Sequence, residues 1–283
     1  MSQNQKLVLA KGPGMDRERQ EEIASEVRAS MEQRKPPIDV LGIAREEGIF
    51  LAPSDYGETF DGRIEYHHKK GKFILFYPAS NASHGLARVR FSVAHELGHY
   101  YLPAHRELLL GGRFHNSHAG FICDNKLERE ADQFAAALLL PDETLADLIS
   151  RRSFLTLKDL LGLASEWEAS ATCTVIRYVE YTPEPCAIIL SRGGQILFYV
   201  SSEDAAYRGF QYLGHKQIPR NTATSQVTAE PVFGPLAERD MHSEVWFSQR
   251  RAGCRLWEEA FPLGYTGLVL TMLAFNLGEV EDD

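Results

Sequence analysis

Apolar residues recur at helical spacing between Asp16 and Arg34, where Ile23, Val27 and Met31 share a stripe and Pro36-Pro37 closes the run. The pattern predicts a second, short helix from Ile38 to Glu47, released by Gly48 into the apolar strand Ile49–Ala52. Two further strands are expected at Gly62–His67 and Lys72–Tyr77, making a small sheet. A third helix follows from Ala87 to Leu102, then a loop from Pro103 to Asp124. The run that starts at Lys126 carries strong helix formers with apolar residues at 127, 131, 134, 135 and 138, and Pro141 stops it.

Beyond Pro141 the period first stays helical, with helices expected at Leu155–Glu168 and Ala171–Glu180 around a turn at Ala169-Ser170. This pair resembles the start of a helix-turn-helix, with Glu168 where a turn glycine is common. From Pro183 the pattern becomes β-rich. Ala187–Leu190 and Gln195–Val200 flank Arg192-Gly193-Gly194 as a hairpin. A polar stretch from Arg220 to Glu230 precedes Val245-Trp246-Phe247, and a last apolar strand covers Gly267–Phe275. Trp246, Trp257, Phe247 and Phe261 read as ordinary core, and the acidic end Glu279–Asp283 as mobile. The expected fold class is α+β throughout.

Composition narrows the function classes. With 283 residues and 44% hydrophobic content, the chain has enough apolar material for two or three compact units. The run Met1–Ala10 is too short in apolar residues for a signal peptide, and no segment approaches membrane-spanning length, so the reading is cytoplasmic, without membrane partners. Cys123, Cys173, Cys186 and Cys254 show no paired spacing, which argues for thiols over disulfides or a thiolate zinc knuckle. A net charge of −9 disfavours phosphate-driven DNA binding and suits a basic protein partner better. Arg151, Arg152, Lys158 and Arg177 are balanced by Asp159, Glu166, Glu168 and Glu180, so the helix-turn-helix-like stretch lacks the usual basic excess.

The chemistry concentrates in His95-Glu96-Leu97-Gly98-His99. On a helix, residues four apart lie on one face, so His95 and His99 can grip one ion while Leu97 faces the core. Glu96 lies beside that face, placed to act as general base toward water activated by the metal. Zinc held by two histidines takes a third protein ligand and leaves one position to water. Glu128 and Asp132 share a face of the following helix, so Glu128 can ligate while Asp132 accepts the outer N–H of a ligand histidine. Glu130 points elsewhere by helical spacing. The blander alternatives are an amphipathic helix whose histidines merely hydrogen-bond, and a solvated acidic face shared with Lys126 and Arg129. Among the residues expected in the loop, His105, His115 and His118 are candidate oxyanion donors, although most loop histidines are solvated. Tyr100 and Tyr101 read as core or rim aromatics, and Cys123 ranks below Glu128 as a ligand.

Arg88–Ala94 leading into His95–His99, followed by Glu128-Arg129-Glu130-Ala131-Asp132-Gln133-Phe134-Ala135, resembles the ImmA/IrrE metallopeptidase family. The resemblance covers about residues 16 to 145, and the long C-terminal remainder is similar to the radiation-response branch of that family. It implies a zincin-like, gluzincin-type peptidase with His95, His99 and Glu128 as zinc ligands, Mn2+ being an alternative occupant, and Glu96 as base. Asp132 stands where the family has Asn or Asp. The resemblance alone supplies the substrate, a helix-turn-helix transcriptional repressor whose cleavage switches on a response to radiation or DNA damage. It also implies a GAF-like sensor fold at the C-terminus.

The resulting expectation has three parts: a zinc metallopeptidase domain over 1–145, a helix-turn-helix-like module over 146–182 and a GAF-like domain over 183–283. The alternatives are a DNA-binding transcriptional regulator with a structural metal site, and a sensor or scaffold whose site is degenerate.

Overall fold

The computed structural model describes residues 15–54, 56, 61–79, 85–112, 125–152, 154–210, 213, 216–227, 236–247, 254–264 and 267–276. These group into two compact units, the first drawing on Pro13–Asp147 and Gly162–Thr174, the second on Leu148–Leu161 and Val175–Asp283.

The first unit contains α1 (Met15–Ser30), α2 (Val40–Glu46), β1 (Phe50–Ser54), β2 (Arg63–His67), β3 (Lys72–Pro78), α3 (Leu86–Tyr101), α4 (Pro103–Leu110) and α5 (Lys126–Leu139). Strand β3 is central, parallel to β1 and antiparallel to β2. Its alternation buries Phe73, Leu75 and Tyr77 on one face. Helix α3 is buried continuously from Val89 to Tyr100, which is why its hydrophobic pattern shows no clear polar face. It crosses α5 closely at Gly98, where a Cβ would sit 3.1 Å from the Ala131 Cα and 3.2 Å from its carbonyl oxygen. The buried seam of α1 runs through Gln20, Ala24, Val27 and Arg28, with Ile23 and Met31 only partly covered. Arg28 was hidden from a hydrophobic reading; it donates to the Ala137 carbonyl of α5 at 2.6 Å and pairs with Glu143 at 3.1 Å.

One expectation for this unit fails. The stretch after Leu102 is not all loop: Pro103 opens α4 at its first turn, where a missing N–H costs nothing, and Gly111 caps its end. His105 therefore lies on a helix. Arg113, His115, His118 and Cys123 fall outside the described residues.

Helices α6 (Asp142–Arg151), α7 (Leu157–Glu166) and α8 (Ala171–Tyr181) come next, each with residues in both units. Helix α6 had no counterpart in the sequence reading. The residue that departs from the turn glycine, Glu168, adopts φ +51°.

The second unit is built on an antiparallel sheet ordered β5-β4-β8-β7-β6, with β4 (Cys186–Arg192), β5 (Gln195–Ser201), β6 (Ala237–His242), β7 (Arg255–Pro262) and β8 (Leu268–Asn276). The β4–β5 hairpin turns at Gly193 and Gly194, whose φ values of +55° and +77° fit a primed turn. Tyr199, Phe210, Trp246, Phe247 and Phe275 form its aromatic core. Trp257 is instead 41% exposed. Short helices α9 (Glu203–Tyr207) and α10 (Ala223–Gln226) also belong here, the latter inside the stretch read as merely polar. Val245 ends a 3-10 turn and is not part of a strand. Strands β6 and β7 show no apolar alternation, because charged residues run consecutively through them, Glu238-Arg239-Asp240 in β6 and Glu258-Glu259 in β7. Glu258 and Glu259, adjacent on β7, are both buried: Glu258 accepts from the Ala223 and Thr224 amides at 2.9 and 2.8 Å, and Glu259 from Leu157 N at 2.9 Å.

Candidate metal centre

One turn of α3 and one turn of α5 build the site. His95 and His99 project from α3 with Nε2 atoms 3.1 Å apart. Glu128, in the first turn of α5, brings one carboxylate oxygen to 3.4 Å from His95 Nε2 and the other to 3.3 Å from His99 Nε2. Two ligands each about 2.1 Å from one zinc, at a tetrahedral angle, lie roughly 3.4 Å apart. The donor set and its spacing therefore fit a small divalent ion. Among the described residues these three form a group whose ligand atoms lie within 4.8 Å of one another.

The electrostatics point the same way. His95 is 4%, Glu96 1% and His99 2% exposed, so the carboxylates here are costly without a compensating cation. Burial alone would pull the His95 imidazole down, yet Asp132, Glu128 and Glu96 together hold it well above its ordinary value. A pocket that raises a histidine in this way attracts positive charge. Asp132, one turn beyond Glu128, receives His95 Nδ1 at 2.8 Å, which leaves Nε2 facing the convergence point.

Glu96 lies on the neighbouring side of α3, against Gly62 at the entrance to β2. A Cβ at Gly62 would come within 2.9 Å of Glu96 Oε1 and 3.0 Å of its Cγ, so the carboxylate occupies space that only glycine leaves open. Tyr100 and Tyr101 donate their hydroxyls to Glu47 at 2.9 Å each, which commits them to α2 and away from the candidate centre.

Two groups, His105 and Glu130, make contacts that the sequence pattern does not foreshadow. His105, expected in a loop, is 2% exposed and its Nδ1 lies 3.0 Å from His99 Nδ1. Glu130 does not join the triad, in keeping with its helical spacing, but it meets His105 Nε2 at 2.9 Å. The Leu102-Pro103 pair, a helix stop followed at once by a helix start, was the available signal.

Residues 58–178 match the model of the IrrE N-terminal-like domain, a peptidase family. The radiation response metalloprotease IrrE of Deinococcus radiodurans is 33% identical over 98 residues, covering 35% of this chain and 29% of that protein. IrrE of Deinococcus deserti is 30% identical over 168 residues, 53% of this chain and 58% of the relative. The metallopeptidase ImmA of Bacillus subtilis is 26% identical over 111 residues, 39% of this chain and 59% of the relative. The match thus spans less than two thirds of each of these proteins. A Mycobacterium tuberculosis transcriptional regulator superposes with TM-score 0.55 at 13% identity, covering 93% of this chain and 77% of that one, a likeness of fold alone. Among the described residues no helix is long and apolar enough to cross a membrane. The segment that carries His95, Glu96, His99 and Glu128 thus matches the IrrE N-terminal-like peptidase domain and is similar to the IrrE and ImmA metallopeptidases.

Proposed function

We propose that this chain is a zinc-dependent endopeptidase of the cytoplasm that cleaves a helix-turn-helix transcriptional repressor and so switches on a radiation or DNA-damage response. In this reading residues 1–145 form the zincin-like, gluzincin-type catalytic domain, 146–182 a helix-turn-helix-like module and 183–283 a GAF-like sensor domain. Its main support is the convergence of His95 Nε2, His99 Nε2 and the Glu128 carboxylate beside buried Glu96. His95, His99 and Glu128 would hold Zn2+, or Mn2+ in its place.

When bound, the ion supplies a Lewis acid that polarises the scissile carbonyl and makes the attacking water more acidic. Glu96 accepts the proton released by that water and passes it to the departing amine. Asp132 keeps the His95 ring in the orientation and tautomer that leave Nε2 facing inward. Seclusion of Glu96 from bulk water strengthens each of these interactions.

The regulator with a structural metal fares less well. A closed structural site takes four protein ligands, and the group found among the described residues has three. The charge balance over residues 151–180 lacks the basic excess that phosphate binding favours.

Mixing the purified protein with candidate repressors, with and without chelator, tests the reading. Glu96→Gln should keep fold and bound zinc while cleavage falls by about a factor of 100 or more. Undiminished cleavage by that variant would sink the mechanism. His95→Ala and His99→Ala should lose zinc as well.

A further inference from the structure

The two candidate ligand imidazoles are supported differently on their outer sides. His95 Nδ1 meets a carboxylate directly, at 2.8 Å from Asp132. His99 Nδ1 meets another imidazole, His105 Nδ1, at 3.0 Å, and His105 Nε2 then meets Glu130 at 2.9 Å. The chain reaches this arrangement by breaking its helix at one residue. Leu102 serves as the end of α3 and the start of α4, with φ −71° and ψ 119°, and Pro103 follows in the first turn of α4. The reversal brings His105 back onto His99, ring centroids 5.0 Å apart, and buries it to 2% exposure. Glu130 comes from α5, two residues past Glu128, with its other oxygen 3.4 Å from Lys126.

Proton bookkeeping permits one arrangement of neutral rings. His99 Nε2 faces Glu128 and His95, so a cation held there needs its lone pair, and the ring's proton sits on Nδ1. His99 Nδ1–H must then donate to His105 Nδ1, which leaves the His105 proton on Nε2, where the Glu130 carboxylate accepts it. Each hydrogen bond has one donor and one acceptor.

We infer that His105 and Glu130 are positioning residues for His99: a relay from α5 through α4 that fixes the tautomer and ring orientation of the second imidazole ligand, as Asp132 does for the first. This rests on the metal-site reading above. The side chain of Glu130 lies off the triad's face and acts through two intervening imidazoles, His105 and His99.

The test uses the full-length protein and reads Zn2+ affinity by competition with a chromophoric chelator, together with the visible spectrum of the Co2+-loaded form. His105→Leu fills the volume but offers no acceptor, and should weaken Zn2+ binding by about 10- to 100-fold. His105→Asn presents an oxygen near the Nδ1 position and should recover part of that loss. Glu130→Gln still accepts the His105 proton and should stay within about threefold of wild type, whereas Glu130→Leu should follow His105→Leu. The Co2+ spectrum should change in the Leu variants. Equal affinity and spectra for both Leu variants and wild type would overturn the relay while leaving the metal site standing. A wild-type protein that binds neither Zn2+ nor Co2+ would instead overturn the underlying site. Should a variant fail to fold, long-range 1H–15N spectra of the zinc-loaded wild type decide: Nδ1–H on His99 with Nε2–H on His105 supports the relay, and the opposite tautomer on His105 refutes it.

Discussion

Arg90 holds Glu168 by both its backbone and its side chain: Nε donates to the Glu168 carbonyl at 3.0 Å, and a guanidinium nitrogen pairs with its carboxylate at 3.2 Å. The same guanidinium donates to the Ile38 carbonyl at 2.7 Å. Glu168 sits at φ +51°, a region that costs a non-glycine residue about 1 kcal/mol. A cation five residues before His95 on the same helix thus braces a turn that would ordinarily take glycine. Arg90→Ala should lower stability by about 3 kcal/mol, because it leaves two carbonyls without their donor. Glu168→Gly relieves the backbone and gives up an ion pair at a half-exposed carboxylate, and should stay within about 1 kcal/mol of wild type. Glu168→Val, β-branched at a positive φ, should lose roughly 2 kcal/mol. Denaturant midpoints at constant slope check this order.

Gly98 sets the distance between the helix with the histidines and the helix with Glu128. A methyl group there would press on Ala131 backbone atoms at 3.1 and 3.2 Å and on Phe134 Cδ1 at 3.2 Å. Gly98→Ala should push α3 and α5 apart, lowering stability by about 1 to 3 kcal/mol and weakening Zn2+ binding at the same time. Zinc affinity unchanged beside a lowered melting temperature would show that the crossing supports the fold but not the site.

At Gly62 the same substitution meets a different neighbour. Its Cβ would lie 2.9 Å from Glu96 Oε1, the movable end of a side chain, with Glu96 Cγ at 3.0 Å. Gly62→Ala should therefore displace the proposed base, Glu96, while leaving the proposed ligands in place: zinc content near wild type, cleavage down by about tenfold or more. Single-turnover cleavage normalised to bound zinc is the measurement.

Thr156 and Asp159 cap the start of α7 reciprocally. The Thr156 hydroxyl accepts from Asp159 N at 3.1 Å, and Asp159 accepts from Thr156 N at 3.1 Å. Thr156→Ala should cost about 1 kcal/mol. The bond from Thr156 holds the Asp159 carboxyl below its ordinary value. A depressed folded-state value means the stabilisation is fully present above the unfolded carboxyl, near pH 4, and fades as pH falls through the lower folded value. The gap between wild type and Thr156→Ala should accordingly narrow on acidification below about pH 4, as read from melting temperatures across that range.

Helical periodicity by itself determined that His95 and His99 share a face with Glu96 beside them, and that Glu128 and Asp132 lie one turn apart on a later helix. Those relations depend on residues three or four apart, which the backbone fixes locally. The β4–β5 hairpin was legible for the same reason, since its glycines name the turn. Tertiary structure alone decided what meets what across the chain. That Glu128 reaches the histidine pair depends on how closely α5 crosses α3, which Gly98 allows but no pattern announces. His105 became a buried partner of His99 because Leu102 breaks the helix and α4 folds back, although the proline after Leu102 reads as the start of a loop. Strand β6 was hidden because Glu238, Arg239 and Asp240 run together in it, and β7 because Glu258 and Glu259 occupy buried positions where apolar residues are expected. Their carboxylates are tolerated only because backbone amides from residues 34, 35 and 102 positions away converge on them, a compensation invisible until the chain has folded.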